Sequence, residues 1–349
     1  MKVNTNWSEL FSEKEQQRVY SFQEMDRQHP LRRVLFPPDN NNGKSKQVAY
    51  NTLRAFNFVK QYNNQWLVSL KKRLLEEKDF STSSAALGEL RAYGYLLEAG
   101  IKVEPVPCQK GVGTPEFKCS FQGKTFIVEV HSKQMDNEEA KSYYEFKKNG
   151  LSNEASFYNA HTVTPFGKPK KPEDTVGLNA ISKICSIKQR GHQLSKEIPS
   201  IIWMDFQDQT WSVVFDKDNV HPFRTFRGRF TSGEIWYAFY GWKEAPVFDS
   251  HSISDGIGRN VKRMGHNGRF RLSSDLSAVI ISFPGTTCIL ENPFADNLLP
   301  KLLWEPLSKL NRFSVEDSYT HMFTSNLIQK IELERTSIVE LENNLKYLW

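Results

Sequence analysis

An α/β fold, a mixed central sheet flanked by helices, is predicted for this 349-residue chain by three observations. An apolar helical stretch, AALGELRAYGYLLEA, runs directly into a series of short strand-like segments. Two of those segments, EFKCSF and TFIVEVH, flank Gln122-Gly123, a tight hairpin turn with glycine at its second central position. Further on, a helical stretch at about 177–196 leads into PSIIWMDF, an apolar run of the kind buried on both faces of a sheet. Helix, strand, hairpin, long helix, strand is the order of a sheet with a crossover helix.

The flanking elements follow from punctuation and periodicity. PPDNNNGKSK (37–46) reads as a loop. Over 47–78, Leu53, Phe56, Phe58, Val59, Tyr62, Trp66, Leu67, Leu70, Leu74 and Leu75 recur at helical spacing and predict a packing helix or pair of helices. The Ser/Thr cluster at 81–84 offers N-caps for the next helix, and Gly100 stands where its C-terminal cap belongs. IKVEPVPC predicts a short strand, followed by the loop QKGVGTP. Residues 134–176 are polar, with a short helix in NEEAKSYYEFKK and a basic loop, GKPKKPED. TWSVVF, GEIWYAFYG and SAVIISF predict further strands, and 325–346 an amphipathic helix. The implied organisation is an N-terminal helical region (1–79), a core (80–245) and a β-rich extension ending in a helix (246–349).

Composition sets the class. Hydrophobic residues at 39% and charged residues at 25% describe a globular chain rather than a disordered one. No run of about 18 apolar residues exists, and the polar N-terminus lacks a signal-peptide core, so a cytoplasmic protein is expected. Cys108, Cys119, Cys185 and Cys288 form no CxxC pair, which argues against a zinc ribbon and against a disulfide scaffold. The net charge of +6 mildly favours a polyanionic partner. GVGTPE is followed by a strand where a dinucleotide fingerprint needs a helix, and no GxSxG or HExxH element exists.

The hairpin carries the chemistry. With a two-residue turn, Phe121 pairs with Lys124, and stepping back along both strands brings Glu116 opposite Glu129. Their Cβ atoms would then lie about 4.5–5.5 Å apart. Glu129 interrupts an apolar run, and burying an ionised carboxylate without a partner costs several kcal/mol. A shared proton or a cation relieves that cost. Mg²⁺ prefers carboxylate and water oxygens, so two converging carboxylates form part of a cage. A salt bridge to Lys118, Lys133 or Arg91 is the structural alternative. Glu89, on the apolar helix just upstream, shares a face with Tyr93 and Leu96 and joins the pair if that helix packs on the hairpin.

Taken together, ELRAYGYLLEAG, TPEF and FIVEVHSK resemble the PD-(D/E)XK nuclease superfamily, the restriction-endonuclease-like enzymes, over roughly residues 81–206. Pro115-Glu116 matches the "PD" element with glutamate in place of aspartate, Glu129 matches "D/E", and the interval between them fits the family's habit. The resemblance implies a mixed four-stranded core and a divalent-metal-dependent endonuclease, acting on DNA rather than RNA, in defence against foreign DNA or in DNA processing. It implies Mg²⁺ or Mn²⁺ held by Glu116, Glu129 and the Val130 carbonyl, with Glu89 acting through water or on a second ion. The motif lysine is absent: His131 occupies its place, and Lys133 follows two residues on along the same strand face. Either positions the attacking water, or the exchange marks lost activity. The resemblance also implies a Lys or Gln on the crossover helix, for which Gln193 is the first candidate, with Lys188 and Arg190 behind it.

Basic segments suggest where a strand of nucleic acid would run. RNVKRMGHNGRFR (259–271) supplies Arg259, Lys262, Arg263, Arg269 and Arg271, and the GKPKK loop supplies Lys168, Lys170 and Lys171, as phosphate contacts. Solvated charge is the alternative for both. HPFRTFRGRF (221–230) reads as an edge strand with inward aromatics and outward arginines, the alternative being a base-stacking surface. The other function open to the sequence is a catalytically inactive, nuclease-like module that binds nucleic acid or a protein partner. A homo-oligomer is compatible with either.

Overall fold

The computed structural model of the chain describes residues 4–24, 27–37, 43–107, 113–132, 169, 174–188, 193–207, 217–226, 228–252, 261–310 and 343. Helix α1 (Glu13–Ser21) opens on a capping box between Ser12 and Glu15. Helix α2 (Gly43–Leu74) is broken at Asn63, whose φ of −151° leaves the helical region. The Asn63 carboxamide restarts the helix. Its oxygen accepts from the Trp66 N–H at 3.1 Å, while its nitrogen donates to the Tyr93 hydroxyl at 3.2 Å. The aromatic stripe at 47–78 is therefore two helical halves joined by a capping residue.

Helix α3 (Phe80–Glu98) is capped by Asp79, two residues before the Ser/Thr cluster expected to do so, and the Asp79 carboxylate accepts the Ser81 N–H at 2.9 Å. It is buried along almost its whole length, sandwiched between α2 and the sheet. Gly94 makes that possible: a Cβ there would stand 2.3 Å from the Ala55 Cα of α2, so the two backbones touch.

Strands β1 (Lys102–Pro105), β2 (Phe117–Phe121) and β3 (Lys124–Ser132) follow as an antiparallel set. Gln122 (φ 46°) and Gly123 (φ 79°) both adopt left-handed backbone, as a type I′ turn requires, and Phe121 pairs with Lys124 as expected. Helix α4 (Val176–Cys185) precedes β4 (Ser200–Asp205), which lies parallel to β3. The hairpin β5 (Phe223–Phe226) and β6 (Arg229–Ser232) leads into α5 (Glu234–Tyr240). Strands β7 (Ala278–Ser282) and β8 (Thr287–Glu291) complete a six-stranded sheet of order β8-β7-β4-β3-β2-β1. The chain is thus mixed α/β around one mixed sheet. Alternating side chains divide β4 between two cores: Ile201 and Trp203 face α2 and α3, while Ile202 and Met204 face α4 and α5.

Several expectations are corrected. GEIWYAFYG is helix α5 rather than a strand. Each residue from Ile235 to Tyr240 is buried, and a short run that is apolar all round carries no period to separate the two forms. Helix α4 stops at Cys185 instead of continuing to 196. Two strands from the extension expected over 246–349 join the central sheet, β7 pairing with β4 and β8 with β7. Strand β8 was not anticipated. TWSVVF, NEEAKSYYEFKK and, apart from residue 343, the helix expected over 325–346 lie outside the described residues. Among the described residues no helix is long and apolar enough to cross a membrane.

Gly94→Ala is expected to destabilise the protein by about 1–3 kcal/mol, since the added methyl meets backbone atoms that no rotamer change can move. Thermal denaturation followed by circular dichroism checks this, and an unchanged midpoint would contradict the α2–α3 contact.

Candidate active site

Pairing of β2 with β3 in the observed register carries Glu116, one residue before β2, to the position across from Glu129. Glu129 sits in mid-strand with no exposure at all. Glu116 is half-buried, and its Oε2 accepts the Val130 N–H at 2.7 Å. The two carboxylates lie within hydrogen-bonding reach of each other, yet Glu129 Oε2 is enclosed without a donor. Burial and the neighbouring Glu129 together push the Glu116 carboxyl up to about 8, with Lys188 and the Val130 N–H pulling the other way. In the metal-free protein the two carboxylates therefore favour sharing a proton.

Two cations balance the cluster. Lys188, three residues beyond α4, places its Nζ on Glu129 Oε1 as an ion pair. Its backbone is left-handed (φ 52°), a conformation that costs a residue with a Cβ on the order of 1–2 kcal/mol. The Lys188 carbonyl is held by Arg269 Nη2 at 3.1 Å, and Arg269 is itself only 3% exposed. Glu89, on α3, is gripped bidentately by Arg73 of α2, with both N–O distances 2.7 Å. Burial raises the Glu89 carboxyl and Arg73 opposes that rise; Glu116 adds a small further push upward.

An open cleft of about 860 Å³ adjoins the cluster. Arg73, Glu89, Glu116 and Gln193 line it together with Trp66, Ser69, Pro105 and Pro107.

The geometry sorts the expected residues. Glu89, Glu116 and Glu129 are brought into one neighbourhood, with Glu116 electrostatically coupled to both of the others. A direct metal-ligand role for Glu89 is not supported, because Arg73 occupies both of its oxygens; among the described residues no group of three His, Cys, Asp or Glu side chains stands in ligand geometry. Val130 contributes its N–H to Glu116. His131 is half-buried two residues beyond Glu129, on the same strand face, and Lys133 lies outside the described residues. Gln193 reaches the cleft and approaches the Thr114 carbonyl at 3.5 Å. Lys188, rather than Gln193, delivers the polar group of the crossover segment to the acid pair.

The salt-bridge alternative is met by a lysine not among those expected for it. Arg91 is engaged elsewhere, in a buried bidentate pair with Asp205 at 2.8 Å, and Lys118 is exposed. Arg73 was missed altogether. Its signal was present: Trp66, Leu70 and Arg73 fall at helical intervals on one stripe, so an arginine on an apolar face called for a buried acid partner.

Of the basic residues, Lys168, Lys170, Lys171 and Arg259 lie outside the described residues. Lys262 and Arg263 are exposed on a two-residue strand. Arg269 is corrected from a phosphate contact to an internal strut on Lys188. Arg271 is half-buried, its guanidinium 4.5 Å over the Phe294 ring. In HPFRTFRGRF, Phe230 packs on Phe248 with ring centroids 4.6 Å apart, while Arg229 is exposed, in line with inward aromatics and outward arginines.

Comparison with protein-family models, curated proteins and solved structures found no match.

The raised Glu116 carboxyl has a thermodynamic consequence. The folded state retains a proton that the unfolded chain releases above about 4.5, so unfolding stability should fall as pH rises from about 4.5 to about 8. Glu116→Gln should flatten that fall. Urea midpoints measured in chelator across the window check it; a wild-type stability that rises, or an equal slope in the variant, would contradict the buried pair.

Proposed function

We propose that the chain is a Mg²⁺- or Mn²⁺-dependent phosphodiester hydrolase of the PD-(D/E)XK kind, acting as an endonuclease on DNA. The observation that carries this reading is the Glu116–Glu129 pair, with Glu129 fully buried and no group other than Glu116 at its second oxygen. Element order supports it: a helix, three antiparallel strands, a helix and a parallel strand are what the resemblance implies.

Charge supports it as well. Glu89, Glu116 and Glu129 against Arg73 and Lys188 leave one negative charge over when all are ionised. A proton on Glu116 balances that charge in the resting protein. A divalent cation together with one phosphodiester balances it equally well, with Glu116 ionised. The donor set of Glu116 and Glu129, with the Val130 carbonyl nearby, suits a hard cation. Bound there, the ion supplies a Lewis acid that acidifies an attacking water and offsets charge on the phosphate.

The chain's own groups do the rest. Glu116 gives up its proton as it becomes a ligand. Lys188 stands in for the motif lysine: its ammonium is fixed on Glu129 and keeps further N–H donors for the attacking water or the phosphate oxygen. His131 is the second group able to orient that water. Arg73 holds Glu89 away from the ion and keeps its charge as a fixed outer field.

The same ion pairs favour a second reading, a non-catalytic nuclease-like module, because Lys188 and Arg73 already neutralise two of the three acids. Cleavage of supercoiled and linear DNA in Mg²⁺ or Mn²⁺ separates the two. The nuclease reading expects Glu116→Gln and Glu129→Gln each to lower the rate more than about 100-fold, and Lys188→Met about 10²–10⁴-fold. Absence of cleavage by wild-type protein, or cleavage that survives Glu129→Gln, would favour the module.

A further inference from the structure

We infer that the cleft beside the acid pair is a slot for a nucleobase, so that the DNA strand presented to Glu116 and Glu129 is locally unpaired. The inference rests on the hydrolase reading for the direction of the strand, but the part of the cleft it turns on, around Trp66 and Ser69, lies outside the acid cluster.

Its lining is mixed, with aromatic and proline side chains set among polar ones. Trp66 is half-buried, with its indole set at 78° to the Tyr93 ring at 4.9 Å and at 59° to Phe117 at 6.0 Å, so packing fixes the ring in place. Pro105, Pro107 and Pro115 line the same space, a proline-rich wall accompanying the aromatic one. Amide and hydroxyl groups complete the lining: Asn63, Gln65 and Gln193 carry both donors and acceptors, and Ser69 adds a hydroxyl. A heteroaromatic ring has this character, apolar faces for stacking and a mixed donor–acceptor edge. At about 860 Å³ the space is within the range of sites that enclose small organic ligands.

Charge argues against phosphate as the occupant. Among the described residues, the one arginine lining the cleft, Arg73, is committed bidentately to Glu89, and no lysine lines it. Glu89 is paired with Arg73 and Glu116 stands beside Glu129, so neither acid offers an incoming anion a counter-charge. The base therefore enters the cleft, while its phosphate stays at the acid pair. A base paired and stacked inside a duplex cannot do this without leaving its stack.

The slot can be tested without catalysis. Fluorescence anisotropy of the full chain in chelator compares a labelled oligothymidylate with a strand of equal length in which the central nucleotides are abasic. We expect the base-bearing strand to bind at least about 5-fold more tightly, the lower end of one stacked base. Trp66→Leu should erase the difference. Trp66 also packs against Tyr93 and Phe117, so Ser69→Leu, at an exposed helix position, serves as a second variant that fills the slot without touching the core. Equal binding of the two strands by wild type, or a base preference that survives Ser69→Leu, would overturn the inference. Failure of the hydrolase reading would appear instead as absent cleavage, with the base preference intact.

Discussion

The site depends on two carboxylates forced together where water cannot solvate them. Glu129 has no exposure and Glu116 lies across from it, and the two-residue turn that pairs their strands fixes that opposition. Glu129 cannot swing away without dragging a charge through the apolar run around it, and Glu116 is tied beside it by the Val130 N–H. Something must therefore occupy the space between them electrostatically. A proton shared by the pair does so in the metal-free protein, and burial beside Glu129 pushes the Glu116 carboxyl up accordingly. The surrounding architecture manages the remaining charge: Lys188 on one acid, Arg73 on the third, Arg269 behind Lys188.

Positioning is distributed over elements far apart in sequence. Helix α3 brings Glu89, α2 brings Arg73, the hairpin brings Glu116 and Glu129, and the segment after α4 brings Lys188. The close α2–α3 approach at Gly94 and Ala55 keeps the Arg73–Glu89 pair in register with the sheet. The buried Arg91–Asp205 pair ties α3 to the end of β4, where β4 runs beside β3. Both ion pairs thus sit where the helix layer meets its neighbours, each cation matched to one acid.

Much of this was legible in the sequence because it is local. Turn chemistry at Gln122-Gly123 determines the hairpin register, and register determines that Glu116 faces Glu129; no tertiary knowledge was needed. Strands β1 to β4 and helix α3 followed from apolar runs with clear boundaries. Legibility failed where a segment is apolar all round, as in Ile235–Tyr240, since burial on every side removes the period that separates helix from strand. It failed also where a partner comes from a distant element. Arg73 and Lys188 reach their acids across 16 and 59 positions, and nothing in the local pattern says which buried acid a given cation will meet. Arg269 was misassigned for the related reason that a basic residue in a glycine-rich stretch looks solvated until its burial is known.

The claim that a divalent cation replaces the Glu116 proton is tested most directly by calorimetric titration of Mn²⁺ into the wild-type protein and Glu129→Gln, in buffers of different ionisation enthalpy. The account predicts binding by the wild type that releases a proton, tightens as pH rises toward about 8, and is lost in the variant. No binding heat, or binding that ignores both pH and Glu129→Gln, would contradict it.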